Sequence, residues 1–187
     1  MSENQVSVII PATSANLGPG FDCLGLALGL YNQVTVTAVS EQPSLLEIEA
    51  TGVDEQKVPR DESNLIVQTA RHIYRELGKP LPGLIIHQHN QIPVGSGLGS
   101  SSTAVLAGLF AATALNNAPF SRRQRLQFAT DYEGHPDNVA PALFGGLVLG
   151  VQGDEGLHVE QIGIPPLRVV YVLPDFDLLT ETARAAL

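Results

Sequence analysis

The chain has 187 residues, enough for one large domain or for one domain and part of another. Ten Lys+Arg against nineteen Asp+Glu give a net charge of −9, which disfavours nucleic acid and anionic lipid as bulk-charge partners. With 44% hydrophobic and 16% charged residues the chain can fill a core, so wholesale disorder is excluded, and the longest apolar stretch, Ala104 to Leu115, is too short to cross a bilayer.

The N-terminal residues show no secretory signal, and the single Cys23 permits neither an internal disulfide nor a CxxC metal site. Both features fit a cytoplasmic protein. Lysine is scarce: only Lys57 and Lys79 are present.

In chain order, Val6 to Ile10 predicts a short strand stopped by Pro11. Thr13 to Asp22 is a loop rich in Gly, Pro, Ser and Asn. Leu24 to Leu30 fits either a strand or a helical turn, while Tyr31 to Val39 and Leu45 to Ala50 alternate as strands that can pair antiparallel. Ser63 is the expected N-cap of a helix running to about Leu77, with Gly78 and Pro80 as stop signals. Gly83 to Asn90 predicts a strand. Pro93 to Ser102 is a second glycine-rich loop, leading into an apolar helix from Thr103 to Leu115. Ser121 opens a helix from Arg122 to about Tyr132, and Pro136 to Leu143 predicts a short helix with Pro in its first turn. Phe144 to Val151 and Leu157 to Gln161 predict strands. Leu167 to Leu173 predicts a buried strand, followed by a helix from about Thr180 to the last residue. Strands and helices mix without a strict βαβ rhythm, so an α+β class is expected.

Three clusters can carry chemistry. In Pro93-Val94-Gly95-Ser96-Gly97-Leu98-Gly99-Ser100-Ser101-Ser102 three alternate glycines let the backbone approach a ligand, and the following helix adds its positive end. That suits a phosphate chain; a tight strand-to-helix loop is the other reading. No lysine follows Lys79, which excludes a Walker-type loop, and the glycine spacing is not that of a dinucleotide fingerprint. Phosphate charge would then fall to backbone dipoles and a divalent ion on hard oxygen ligands such as Ser101 and a carboxylate. Glu133-Gly134-His135-Pro136-Asp137-Asn138 packs three ionisable groups into five residues: Glu133 can turn to a metal and His135 and Asn138 to a polar ligand, or the segment simply caps helices. In Thr13 to Asp22, Asn16 and Asp22 can grip an ammonium or hydroxyl group, or the segment is a plain surface loop.

In order and spacing these clusters resemble the GHMP small-molecule kinases, and within them the homoserine kinase branch. The marks are PATSANLGPGFDCLGLAL, PVGSGLGSSS, EGHPDNVAPALFGG and LPDFDLLTETARAAL. The resemblance covers essentially the whole chain. It implies a GHMP-kinase N-terminal domain (of the ribosomal protein S5 domain 2-like type) over residues 1–163, and the first β-α unit of a truncated ferredoxin-like C-terminal domain over 164–187. It implies ATP and Mg²⁺ as cofactors and L-homoserine as substrate. Pro93, Val94, Gly95, Ser96, Gly97, Leu98, Gly99, Ser100, Ser101, Ser102 and Thr103 would form the phosphate loop, with Asn64 near the adenine. Ser101 and Glu133 would serve the metal. Asn16 and Asp22 would hold the substrate amino and hydroxyl groups. His135, Asn138, Thr180 and Arg184 would close around its carboxylate and the transferring phosphoryl, with Asn138, Thr180 and Asp22 nearest the chemistry. Some GHMP kinases use an Asp base with a Lys partner; no Lys lies near these motifs in sequence, so no strong general base is assigned. The resemblance implies a C-terminal domain of which only the opening is expected within these 187 residues, so an association-prone apolar end, a possible homodimer and reduced activity are expected.

Overall fold

The computed structural model describes residues 4–154 and 156–172. Within them the order is β1 (Gln5–Ala15), β2 (Leu24–Val39), β3 (Leu46–Gly52), a 3-10 turn at Glu55–Lys57, α1 (Leu65–Glu76), β4 (Gly83–Asn90), α2 (Ser100–Leu115), α3 (Arg122–Glu133), α4 (Val139–Phe144), β5 (Leu147–Gly153) and β6 (Gly156–Ile162). The α+β class is the one expected. One six-stranded sheet runs β3-β4-β2-β5-β6, with β1 paired to β2.

The sheet is organised by β2, which joins the two segments that the sequence divides at Leu30. Its residues 24–26 take β5 and its residues 33–39 take β4, while β1 runs antiparallel along both stretches. Pro11 does not stop β1. The strand pairs only with β2, an edge position where a missing N–H is tolerated, and the register shifts between Pro11 and Thr13. β3 corrects a second expectation: it pairs parallel with β4, not antiparallel with β2. The reason is the intervening α1, since two strands joined through a helix return in the same direction.

α2 is apolar all round, and a helix of that kind belongs in an interior. Val105, Leu106, Ala107 and Leu109 are fully buried, packed with Ile66 and Ile73 of α1, Val34 and Val36 of β2, and Leu84 and Ile86 of β4. Gly108 permits the close approach of α1: a Cβ there would lie 2.5 Å from the Ile66 carbonyl oxygen. The core therefore fixes where α2 begins, and with it the glycine-rich loop before it.

Helix ends show how local chemistry sets boundaries. The cap of α1 is Asn64, not Ser63: its Oδ1 accepts from the Ile66 amide at 2.9 Å. Ser63 instead donates to Asp61, and these bonds, hydroxyl first and amide second, hold the Asp61 carboxyl below its ordinary range. α2 starts at Ser100, three residues before the expected Thr103, because Gly99 with φ of 70° supplies the turn. α3 has the full capping box of Ser121 and Gln124, and ends at Gly134 with φ of 90°. α4 begins at Val139, leaving Pro136 outside it.

Residues 163–172 are the largest departure. The expected buried strand forms no regular structure over its described part, and Val170 and Val172 are 88% and 82% exposed. A strand needs a neighbour for its ladder, and none of the described strands pairs with it. Leu173, Thr180, Arg184 and the helix expected from Thr180 lie outside the described residues.

Candidate functional site

The glycine-rich loop connects β4 to α2, and buried polar groups frame it. Asn32, 3% exposed, accepts from the amides of Gln91 and Ile92 at 2.9 and 3.0 Å and donates to Thr103 Oγ1 at 3.4 Å. Asp54 accepts from the Val94 amide at 3.0 Å. Leu98 anchors the loop from below, buried with Ala12 and Ile92. Gly95, Gly97 and Gly99 all have φ between 70° and 75°, left-handed at every second residue. Among the described residues the amides of Gly95, Ser96, Gly97, Gly99, Ser100 and Ser101 take no protein acceptor. These donors, together with the positive end of the sixteen-residue α2, form a concavity suited to an anion.

The loop after β1 comes to the same place. Asn16, Leu17 and Asp22 adopt left-handed backbone, at φ of 67°, 44° and 56°. Asn16 Oδ1 accepts from the Asp22 amide at 2.9 Å and closes the loop on itself. Thr13 ties the three clusters together: its amide donates to Leu98 O at 3.1 Å and its hydroxyl to Asn138 Oδ1 at 2.8 Å. Its hydroxyl also fills the space beside Gly99, where a Cβ would lie 2.1 Å away.

The third cluster arrives from the end of α3. Glu133 reaches the start of α2, where Ser101 Oγ donates to its Oε1 at 2.7 Å and Ser102 Oγ to its Oε2 at 2.9 Å. Gly134 then turns the chain so that His135 hydrogen-bonds Asp137 through Nδ1. Asp137 is 2% exposed, and its carbonyl lies 1.8 Å from where a Cβ on Gly25 would stand, so this segment seats against β2 through a position only glycine can fill. Ligand atoms of Asp22, His135 and Asp137 all lie within 4.8 Å of one another. Two carboxylates around one imidazole favour a positive guest such as an ammonium group.

A cavity of about 400 Å³ unites these residues: Asn16, Gly95, Ser96, Gly97, Gly99, Ser100, Ser101, Ser102, Glu133, His135 and Asn138, with Ala15 and Asp137. Of the other expected site residues, Asp22 adjoins through His135 and Asp137. Pro93, Val94, Leu98 and Thr103 do not line the cavity, and Leu98 and Thr103 are buried. Asn64 does not line this cavity and is 3% exposed; its Oδ1 caps α1 and its Nδ2 donates to Pro59 O at 2.9 Å.

Sequence reasoning passed over Asp137, which it gave to helix capping, and Thr13, Asn32 and Asp54, whose partners are far away in the chain. It also placed no lysine near the loop. The fold brings Lys57 to 3.5 Å from Asp54, the acceptor of the Val94 amide, although among the described residues no Lys or Arg lines the cavity. Tyr171 is a further addition: its hydroxyl donates to the Ser96 carbonyl at the outer side of the loop.

Residues 64–146 match the family described as GHMP kinases N terminal domain. A homoserine kinase from Synechocystis is 45% identical over 182 residues, covering 97% of this chain and 60% of the relative. One from Carboxydothermus hydrogenoformans is 42% identical over 182 residues, again 97% and 59%. The crystal structure of homoserine kinase from Cytophaga hutchinsonii superposes with a TM-score of 0.75 at 28% identity, covering 99% of this chain and 60% of that one. The chain thus spans about 60% of the length of the curated relatives it matches. Residues 64–146 thus match the GHMP kinase N-terminal domain, and the chain is similar to homoserine kinases along nearly its whole length.

Proposed function

We propose that this chain supplies the nucleotide- and substrate-binding portion of an ATP-dependent homoserine kinase, transferring the γ-phosphoryl group to the side-chain hydroxyl of L-homoserine. The observation that carries the reading is the convergence of three sequence-distant clusters on one cavity whose loop amides have no protein acceptor among the described residues.

Phosphoryl transfer depends on positioning and on stabilising charge, with little covalent work for the protein. Amides of residues 95–101 and the start of α2 hold the anionic phosphates without a lysine in the cavity. Ser101 and Glu133 fit Mg²⁺, because a carboxylate and hydroxyls already within 3 Å of one another make a hard, all-oxygen donor set. When bound, that ion would neutralise phosphate charge. Asn64 would lie on the adenine side. Asn16 and Asp22 hold the substrate ammonium and hydroxyl, with Asp22, Asn138 and Thr180 nearest the reacting oxygen. His135 and Arg184 take its carboxylate, an Arg fork binding two oxygens at once. Residues 1–163 would form the nucleotide-binding domain and 164–187 would open a second domain. The reading makes the partner a small molecule in the cytoplasm, not nucleic acid or membrane, and admits a homodimer.

The test is calorimetry with ATP, with and without Mg²⁺, alongside turnover on homoserine, mevalonate and sugar acceptors. Mg²⁺-strengthened ATP binding that Glu133→Gln weakens at least tenfold is expected, with turnover on homoserine alone. Turnover on another alcohol would reassign the substrate; binding without turnover would favour a non-catalytic nucleotide module; no ATP binding would refute the reading.

A further inference from the structure

The face of the sheet turned away from the helices carries a histidine cluster that the site above does not use. Alternate residues of a strand share a face, so His87 and His89 of β4 project together, and both are exposed. His87 stands opposite Glu49 of β3 and Thr35 of β2; His89 stands opposite Thr51 and Gln33. These residues line a cavity of about 260 Å³.

Both imidazoles are held by the same nitrogen. His87 Nδ1 lies 2.9 Å from Glu49 Oε2, and His89 Nδ1 lies 3.0 Å from Thr51 Oγ1. An ionised carboxylate only accepts, so the Glu49 bond places a proton on His87 Nδ1 and leaves Nε2 with the lone pair of the neutral ring. Thr51, which can accept as well as donate, is compatible with the same tautomer at His89. A ring fixed through one nitrogen by an outer acceptor is how metal-ligating histidines are characteristically prepared.

We propose that His87 and His89 form a binding site for a divalent transition ion of the Zn²⁺, Ni²⁺ or Cu²⁺ class. The two Nε2 atoms are the ligands, Glu49 and Thr51 orient the rings, and water and the Gln33 side-chain oxygen complete the shell. Bonds of about 2.0–2.1 Å in tetrahedral geometry need the Nε2 atoms about 3.3 Å apart, a convergence open to two side chains at successive same-face positions of one strand when they lean together with their Nδ1 bonds kept. Imidazole selects these ions over Mg²⁺ and Ca²⁺, so the site does not compete for the ion expected at Glu133.

Isothermal titration of the tag-free chain with Zn²⁺ tests this. The double variant H87A/H89A should lose one equivalent of bound ion, and H135A, which dismantles the Asp22–His135–Asp137 cluster, should keep that equivalent. E49Q should weaken it about tenfold. Copper-loaded protein should show the magnetic resonance signature of two imidazole nitrogens, lost in the double variant. Zn²⁺ binding unchanged in H87A/H89A, or no uptake by the parent chain, would overturn the proposal; an E49Q variant binding like the parent would overturn the orienting role.

Discussion

Residues 93–102 and residues 163–172 stand at opposite ends of what a segment can settle for itself. The first has a left-handed glycine at every second position, a buried leucine pinning it from below, and framing bonds from Asn32 and Asp54. The second is richer in β-branched and apolar residues than most strands of the sheet, yet it forms no regular structure and is exposed. A turn is made by the residues that compose it, whereas a strand is completed by its neighbour. The two segments do touch, at the Tyr171 hydroxyl and the Ser96 carbonyl, so the segment without regular structure meets the outer end of the glycine-rich loop.

If that contrast is right, substitutions should have sharply graded effects. The largest belongs to Gly25→Ala, whose methyl would overlap the Asp137 carbonyl at 1.8 Å. We expect a loss of about 3 kcal/mol or more in denaturant unfolding, since neither backbone can yield cheaply. Gly99→Ala comes next. It combines a φ of 70° with a Cβ 2.1 Å from Thr13 Oγ1, so it should lower ATP affinity at least tenfold in calorimetry and cost about 1–3 kcal/mol of stability. Tyr171→Phe removes one exposed hydrogen bond and should cost no more than about 1 kcal/mol while leaving the fold intact by circular dichroism. Val170→Ser should be the mildest, within about 0.5 kcal/mol by thermal unfolding, because Val170 is 88% exposed. The same variant should reduce self-association in sedimentation if the apolar segment drives it. A Val170→Ser variant that unfolds like Gly25→Ala would show that the segment is part of the core after all.

The sequence revealed the chemistry of the cavity better than its construction. Asn16, the glycines of the loop, Ser101, Glu133, His135 and Asn138 are polar or glycine residues in places where a core has no use for them, and each lines the cavity. Asp137 escaped because its burial depends on Gly25, far away in the chain, although its partner His135 is only two residues away. Thr13, Asn32 and Asp54 escaped for the same reason: their bonds reach Asn138, Gln91 and Val94 across long stretches of chain. In the fold, helix positions were recoverable from periodicity and caps, with Asn64 taking the role expected of Ser63. The parallel pairing of β3 and β4 and the continuity of β2 through Leu30 were not, since register is set by partners and not by the strand.

Amide-resolved NMR of the ¹⁵N-labelled chain during titration with Mg²⁺–ATP addresses most directly how the phosphates are held. The largest shifts should fall on the amides of Gly95, Ser96, Gly97, Gly99, Ser100 and Ser101, with smaller ones at Asn16 and His135. Shifts centred elsewhere, with those six amides unmoved at saturating nucleotide, would contradict a phosphate site built from the main chain.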